Sequence, residues 1–245
     1  MFAKTALRCL MLLCGIALTI VTAPTQAATA TARSADLINL PLFIVDSDGN
    51  SPSGDDTLLH EIRTQAPIVA PDGHQLTLAE WNAVRGEVEI ECFPEGTQVT
   101  FDVTGLIPNG VYTAWGVTFK QPGFVTPTFE GLFDNLIGLG CVGTPDGTES
   151  IFHASDVGEG RITAIIPAGR LSMLGDIAPC ALTDEYEFHV VGSYHIDGQT
   201  YGPDLGPDGT AVEQFGWLFK QNLDPTPVEA KGKLTTTWAQ VKQQR

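Results

Sequence analysis

Apolar and polar residues alternate with a period of two in several stretches of this chain, the mark of strands that bury one face. Over 98–104, Val99, Phe101 and Val103 alternate with Gln98, Thr100, Asp102 and Thr104. Just before, Val88, Ile90 and Cys92 alternate with Glu87, Glu89 and Glu91, and Pro94-Glu95-Gly96 supplies a turn, so the two segments are predicted to pair as a hairpin. Pro108-Asn109-Gly110 then leads into 111–120, where Val111, Thr113, Trp115, Val117 and Phe119 share a face. Asn-Gly tolerates the positive φ of a tight hairpin turn, so a three-stranded meander is expected. Further strands are predicted at 37–45, 65–69, 151–154, 161–166, 185–196 and 211–220. One helical turn is expected at 77–83, with Thr77 as cap and Glu80 three residues later. Short strands separated by Gly, Pro and Asp turns predict an all-β fold, an antiparallel β-sandwich of jelly-roll or immunoglobulin-like type, as a single domain over 34–224.

Two segments break the pattern. Residues 121–150 hold Phe124, Phe129, Leu132, Phe133, Leu136, Ile137 and Leu139 among many glycines with no clean period, and are expected to be irregular chain plugging one end of the sandwich. From Pro225 onward the chain reads as a flexible basic tail: Lys231, Lys233, Lys242 and Arg245 face only Glu229.

The N-terminus has its own logic. Lys4 and Arg8 precede an apolar run from Cys9 to Val21, then Pro24 and a small-residue stretch, the layout of a cleaved secretory signal over 1–27. The run falls short of the roughly 20 apolar residues a membrane span needs, so no span is expected in the mature chain. Leu13 precedes Cys14 where a lipoprotein site wants a small residue, which argues against a lipid anchor. The expected destination is the periplasm or the medium.

Removing that segment changes charge and cysteine count. The whole chain carries 13 basic and 29 acidic residues; loss of Lys4 and Arg8 leaves 11 and 29, a formal net charge of −18. A body of that sign repels phosphate backbones and anionic lipid, so no nucleic-acid partner is expected. Cys9 and Cys14 go with the signal. Cys92, Cys141 and Cys180 remain, and a disulfide between Cys92 and Cys180 is favoured, although spacing alone does not fix connectivity.

The richest chemistry lies in 185–196. One face of that strand carries Tyr186, Phe188, Val190, Tyr194 and Ile196, the other Glu185, Glu187, His189, Ser193 and His195. Glu187 and His189 are candidate ligands of a divalent metal, zinc or copper, with His153 reaching in from a neighbouring strand. His195 is a further candidate, yet it lies roughly 20 Å from His189 along an extended strand unless the chain bends at Gly192. A blue-copper site also needs a Cys and a His a few residues apart, and Cys180 and His189 are nine apart. Calcium is the other candidate: Asp46, Asp48 and Asn50 place oxygen side chains at alternate positions, but Ser51 and Thr57 occupy the two diagnostic places of an EF-hand loop. There is no G-x-S-x-G elbow, phosphate loop or H-E-x-x-H.

Three runs carry a likeness: 70–77 (APDGHQLT), 105–115 (GLIPNGVYTAW), and 188–203 (FHVVGSYHIDGQTYGP) followed by VEQFG at 212–216. In these the chain resembles an uncharacterised family of secreted bacterial β-rich proteins. The resemblance covers most of the mature domain and implies export and one β-rich domain; it brings no activity and no site residues. The expected function is therefore non-catalytic binding of an extracellular ligand or protein partner, or a structural role at the surface, with metal binding or metal-dependent catalysis through a His/Glu site as the alternative.

Overall fold

The structure, a computed structural model, describes residues 32–120, 123, 130–183 and 185–219. The expected export signal at 1–27 and the basic tail at 225–245 lie outside them, as do Phe124 and Phe129.

The chain enters along β1 (Ala32–Asp36) and β2 (Ile38–Asn39), one extended run that serves two sheets. The strand expected at 37–45 is cut by a 3-10 turn at Pro41–Phe43, because Pro41 cannot donate to a ladder. A two-residue pair follows, β3 (Ile44–Val45) with β4 (His60–Glu61). The stretch 65–69 forms only single bridges, His60 to Pro67 and Val69 to Gln75, with Gln65 at φ 60°. Helix α1 (Leu78–Trp81) carries the expected capping box: Glu80 N donates to Thr77 Oγ1, and Thr77 N donates back to the Glu80 carboxylate at 2.8 Å.

β5 (Arg85–Phe93) and β6 (Gly96–Thr104) form the predicted hairpin, with Val88 opposite Phe101 and Ile90 opposite Val99. The meander does not continue. Strand β7 (Val111–Lys120) lies in the other sheet, although Asn109 does take the positive φ, 59°, that its turn demands. The cause is Leu106 and Ile107, which are buried and draw the turn into the core, where Ile107 N donates to the Tyr112 hydroxyl at 2.9 Å. The turn thereby sets the apolar faces of β6 and β7 against each other across the core.

Next come β8 (Leu136–Cys141), β9 (Ile151–His153) and β10 (Gly160–Pro167), then the small hairpin β11 (Gly169–Arg170) with β12 (Asp176–Ile177). Strand β8 falls inside the stretch expected to be irregular, which also holds a 3-10 turn at Glu130–Phe133. The last two strands are β13 (Tyr186–His195) and β14 (Ala211–Phe219). The result is an antiparallel β-sandwich: a four-stranded sheet in the order β1-β5-β6-β10 and a larger one in the order β2-β14-β13-β7-β8, with β9 also on β7.

Phe101 of the first sheet anchors the core, its ring 5.1 Å from Trp217, 5.4 Å from Phe152 and 6.2 Å from Phe215 of the second. Cys92 and Cys180 form the disulfide favoured from the sequence, with an S–S distance of 2.05 Å, tying β5 to the segment before β13. Cys141 is free and buried, and its thiol donates to Gly202 O at 3.8 Å.

Candidate functional site

The polar face expected on β13 does not face water. Every residue of the strand is buried except Val191, because loops cover the outer face of the large sheet. Tyr201 of the 196–210 loop lies over His195, with ring centroids 6.4 Å apart, and a Cβ placed on Gly123 would sit 2.3 Å from the Glu187 carboxylate. Glu187 and His189 are 2 % and 6 % exposed, and His189 Nε2 donates to Glu187 Oε1 at 2.5 Å. A carboxylate bonded to an imidazole in so dry a place is a charge-assisted pair of the strong class.

His153 does not join that pair. It is exposed on β9 opposite Val111, and Val111 in turn lies opposite His195, six residues and roughly 20 Å along β13 from His189. The sequence groups four metal candidates, and the structure divides them into a sealed pair, a surface histidine and a third buried site. Among the described residues, no three His, Cys, Asp or Glu side chains converge on a point that would hold a metal ion.

The third site surrounds His195. Trp115 Nε1 donates to Thr113 Oγ1 at 2.9 Å, and the same oxygen lies 2.9 Å from His195 Nε2. If the Thr113 hydroxyl donates to Nε2, all three groups in this chain are satisfied, which places the imidazole proton on Nδ1. His195 Nδ1 and the neighbouring Ser193 Oγ are both buried without a hydrogen-bond partner among the described residues. Burial pushes the His195 pKa down against a smaller upward pull from Asp197, so the ring is neutral at neutral pH. Directly opposite Ser193 on β14 stands Glu213, whose carboxyl is pushed up to about 7 by burial, with Arg63 pulling it down and Glu61 pushing it up. Glu61 itself is buried but well bonded, accepting from Arg63 N and Nε and from Thr64 N and Oγ1 at 2.7–3.0 Å. Burial alone would raise its pKa; those bonds outweigh it and leave the pKa lowered. Arg63 then reaches Asp208 at 2.7 Å, latching the 196–210 loop to the β4 turn.

The calcium candidates form a self-closed turn. Asp46 Oδ1 accepts from Asp48 N and Asn50 N, both at 2.9 Å, which holds its carboxyl below the usual range, while Asp48 and Asn50 are exposed.

A concavity lies on the other sheet. An open groove of about 880 Å³ crosses its outer face, lined by Asp36, Arg85, Glu87, Asp102, His153 and Arg161 among others. Strand register builds its floor: Asp36 is opposite Glu87, Glu87 opposite Asp102, and Asp102 opposite Arg161. Adjacent strands lie about 4.8 Å apart, so three carboxylates follow one another in a row roughly 10 Å long before the guanidinium ends it. Like charges directly opposed across strands destabilise a sheet. The one ion pair in the row, Arg161 Nε to Asp102 Oδ1, is loose at 3.6 Å and exposed. Arg85 is turned away, Nη1 donating to Asn82 O and Val84 O at 2.7 and 2.6 Å, where it caps the end of the α1 segment.

No protein-family model matches this chain, and no curated protein matches it. The site must therefore be argued from the geometry. The groove residues escape sequence reasoning because each is an ordinary outward-facing residue of an alternating strand; only register aligns them. Glu213 did leave a signal, the one acid in the run 211–219, where Gln214 is the only other polar side chain. Its neighbour Gln214 occupies a bulge and is buried, accepting from Tyr112 OH at 2.8 Å and donating to Trp81 O at 3.0 Å, which ties β14 to α1 and β7.

Proposed function

We propose that this chain is an exported, non-catalytic β-sandwich that binds an extracellular partner in the groove of its four-stranded sheet. The observation that carries the reading is the row of Asp36, Glu87 and Asp102, three acids opposed in register on a solvent-facing floor. Folding gains nothing from that arrangement, and a partner presenting amino or guanidinium groups would neutralise it. The disulfide and the strongly acidic body fit life outside the cytoplasm. Among the described residues no helix is long and apolar enough to cross a membrane. The test is a titration of the isotopically labelled mature protein with hexalysine and, separately, hexaglutamate, followed by amide resonances. Shifts confined to β1, β5, β6 and β10 with hexalysine alone support the reading; equal shifts with both, or none, overturn it.

A second reading, a metal-binding protein, draws on the buried, unpartnered Nδ1 of His195 beside Ser193 and Glu213. It needs the other tautomer, in which Nε2 carries the proton and donates to Thr113 Oγ1, leaving Nδ1 free to coordinate. Elemental analysis of untagged protein decides it. A stoichiometric metal lost in His195→Asn supports this reading, and metal-free protein that takes up no zinc on dialysis ends it.

A further inference from the structure

The chain itself carries a segment of the chemistry that the groove selects. Residues 225–245 hold Lys231, Lys233, Lys242 and Arg245 against the single acid Glu229, in a protein whose remaining charge is overwhelmingly negative. The groove offers the opposite balance. Asp36, Glu87, Asp102 and Glu159 line it, Asp102 has only its loose contact with Arg161, and the Arg85 guanidinium is held on backbone carbonyls.

Connectivity permits the two to meet. The groove lies at the end of the sandwich marked by His153, Val111, His195 and Ala211, which follow one another across the large sheet. Strand β14 starts at Ala211 and ends at Phe219, so it delivers the chain to the opposite end, about 30 Å away. Eleven residues lie between Phe219 and Lys231, and the twelve steps span about 40 Å when fully extended, with more reach still for the later cations. A flexible linker has an r.m.s. reach of about 5–6 Å × √n, roughly 20 Å at Lys231 and about 30 Å at Arg245. The cations late in the segment therefore match the span, and tethering there raises their local concentration to the order of millimolar, which favours ion pairing at low salt.

We propose that the groove's resident occupant is the chain's own basic segment 225–245, laid with its lysines along Asp36, Glu87 and Asp102, so that an external cationic partner must displace it. The inference rests on the groove being the binding surface, as proposed above.

The experiment uses the full mature chain. Zero-length carbodiimide coupling at low ionic strength, followed by mass spectrometry, is expected to join Lys231, Lys233 or Lys242 to Asp36, Glu87 or Asp102. These links should disappear in 0.5 M salt and in Asp36→Asn/Glu87→Gln/Asp102→Asn, a variant that removes like-charge opposition and so should not endanger folding. Mixing light and heavy isotope forms separates links within a chain from links between chains. Links absent, or present only between chains, overturn the proposal. A second arm replaces the cations, in Lys231→Gln/Lys233→Gln/Lys242→Gln/Arg245→Gln. If the segment occupies the groove, hexalysine binds this variant about tenfold more tightly than the unaltered chain. Equal affinity for both overturns self-docking and leaves the groove standing, whereas no binding to either overturns the groove and the self-docking together.

Discussion

Glu213→Gln should make the protein's stability less dependent on pH, and the sign of the effect separates burial from ion pairing. Glu213 sits on β14 opposite Ser193, partly reached by solvent, with its carboxyl pushed from 4.5 up to about 7. Below about pH 4.5 the acid is protonated in folded and unfolded chain alike, and the site contributes no pH dependence. Between about 4.5 and 7 the unfolded chain gives up its proton while the folded chain keeps it, so stability falls as pH rises. Above about 7 the loss is complete. At 1.36 kcal/mol per pH unit the full span is at most about 3 kcal/mol, and the partial exposure of Glu213 reduces this to about 1–3 kcal/mol. His195 acts in the opposite sense, since its lowered pKa adds stability as pH rises toward 6.5. The informative quantity is therefore the difference between Glu213→Gln and the unaltered protein, in which the His195 contribution cancels. Urea unfolding at pH 4, 5, 6, 7 and 8 should give coincident stabilities at pH 4 and a Gln variant more stable by about 1–3 kcal/mol at pH 8. A variant equally stable, or less stable, at pH 8 would refute the claim that burial governs this carboxyl and would mean that Arg63 holds it ionised.

Other outcomes follow from the packing and register. The double variant Cys92→Ala/Cys180→Ala frees a loop closed over 88 residues of sequence separation, and loop entropy predicts a loss of about 4.6 kcal/mol in chemical denaturation, read against the unaltered protein without reductant. Phe101→Ala removes the ring that touches Phe152, Phe215 and Trp217 at 5.1–6.2 Å, and should lower stability by about 3–5 kcal/mol with a corresponding drop in melting temperature. Gly192→Ala places a methyl 2.2 Å from the Phe215 ring and should lower stability by about 1–3 kcal/mol, measured in the same way. Glu87→Gln relieves opposition with Asp36 and Asp102; it should raise stability by up to about 1 kcal/mol while weakening hexalysine binding, and an unchanged titration would sever the row from binding.

The alternation of apolar and polar residues made the strands legible. β5, β6, β7, β10, β13 and β14 appear within a few residues of their predicted limits, and the capping box at Thr77 and Glu80 forms as its spacing requires. Partnership was less legible. Pro108-Asn109-Gly110 has the residues of a hairpin turn, yet the burial of Leu106 and Ile107 converts it into a crossing between sheets, a choice made by the core and not by the turn. Strand β8 was hidden because Gly138 and Gly140 interrupt its apolar residues; a Cβ at either would come within 3 Å of Leu171, so the glycines there admit the 169–177 hairpin rather than break the strand. The faces of β13 divide just as the alternation predicts. What the pattern lacks is the loop cover that buries both, and with it the conversion of Glu187, His189, Ser193 and His195 from surface groups into interior ones.

The two sheets thereby treat their outer faces in opposite ways, and this asymmetry is what the proposed binding surface rests on. On the large sheet, polar side chains are covered and mostly bonded: Thr113 serves Trp115 and His195, Glu187 holds His189, and Glu61 with Arg63 latches the covering loop. Such pairs have little to offer a partner, because exposing them would first cost the bonds they already make. On the four-stranded sheet the acids are uncovered, opposed to one another, and loosely compensated by Arg161 alone within the row. A sheet under selection for stability alone would alternate its charges across the strands, as Asp102 and Arg161 begin to do. On the proposed reading, three acids in register find their favourable state with a cation from outside the fold, so the groove is where ligand binding and folding stability should respond to mutation in opposite directions.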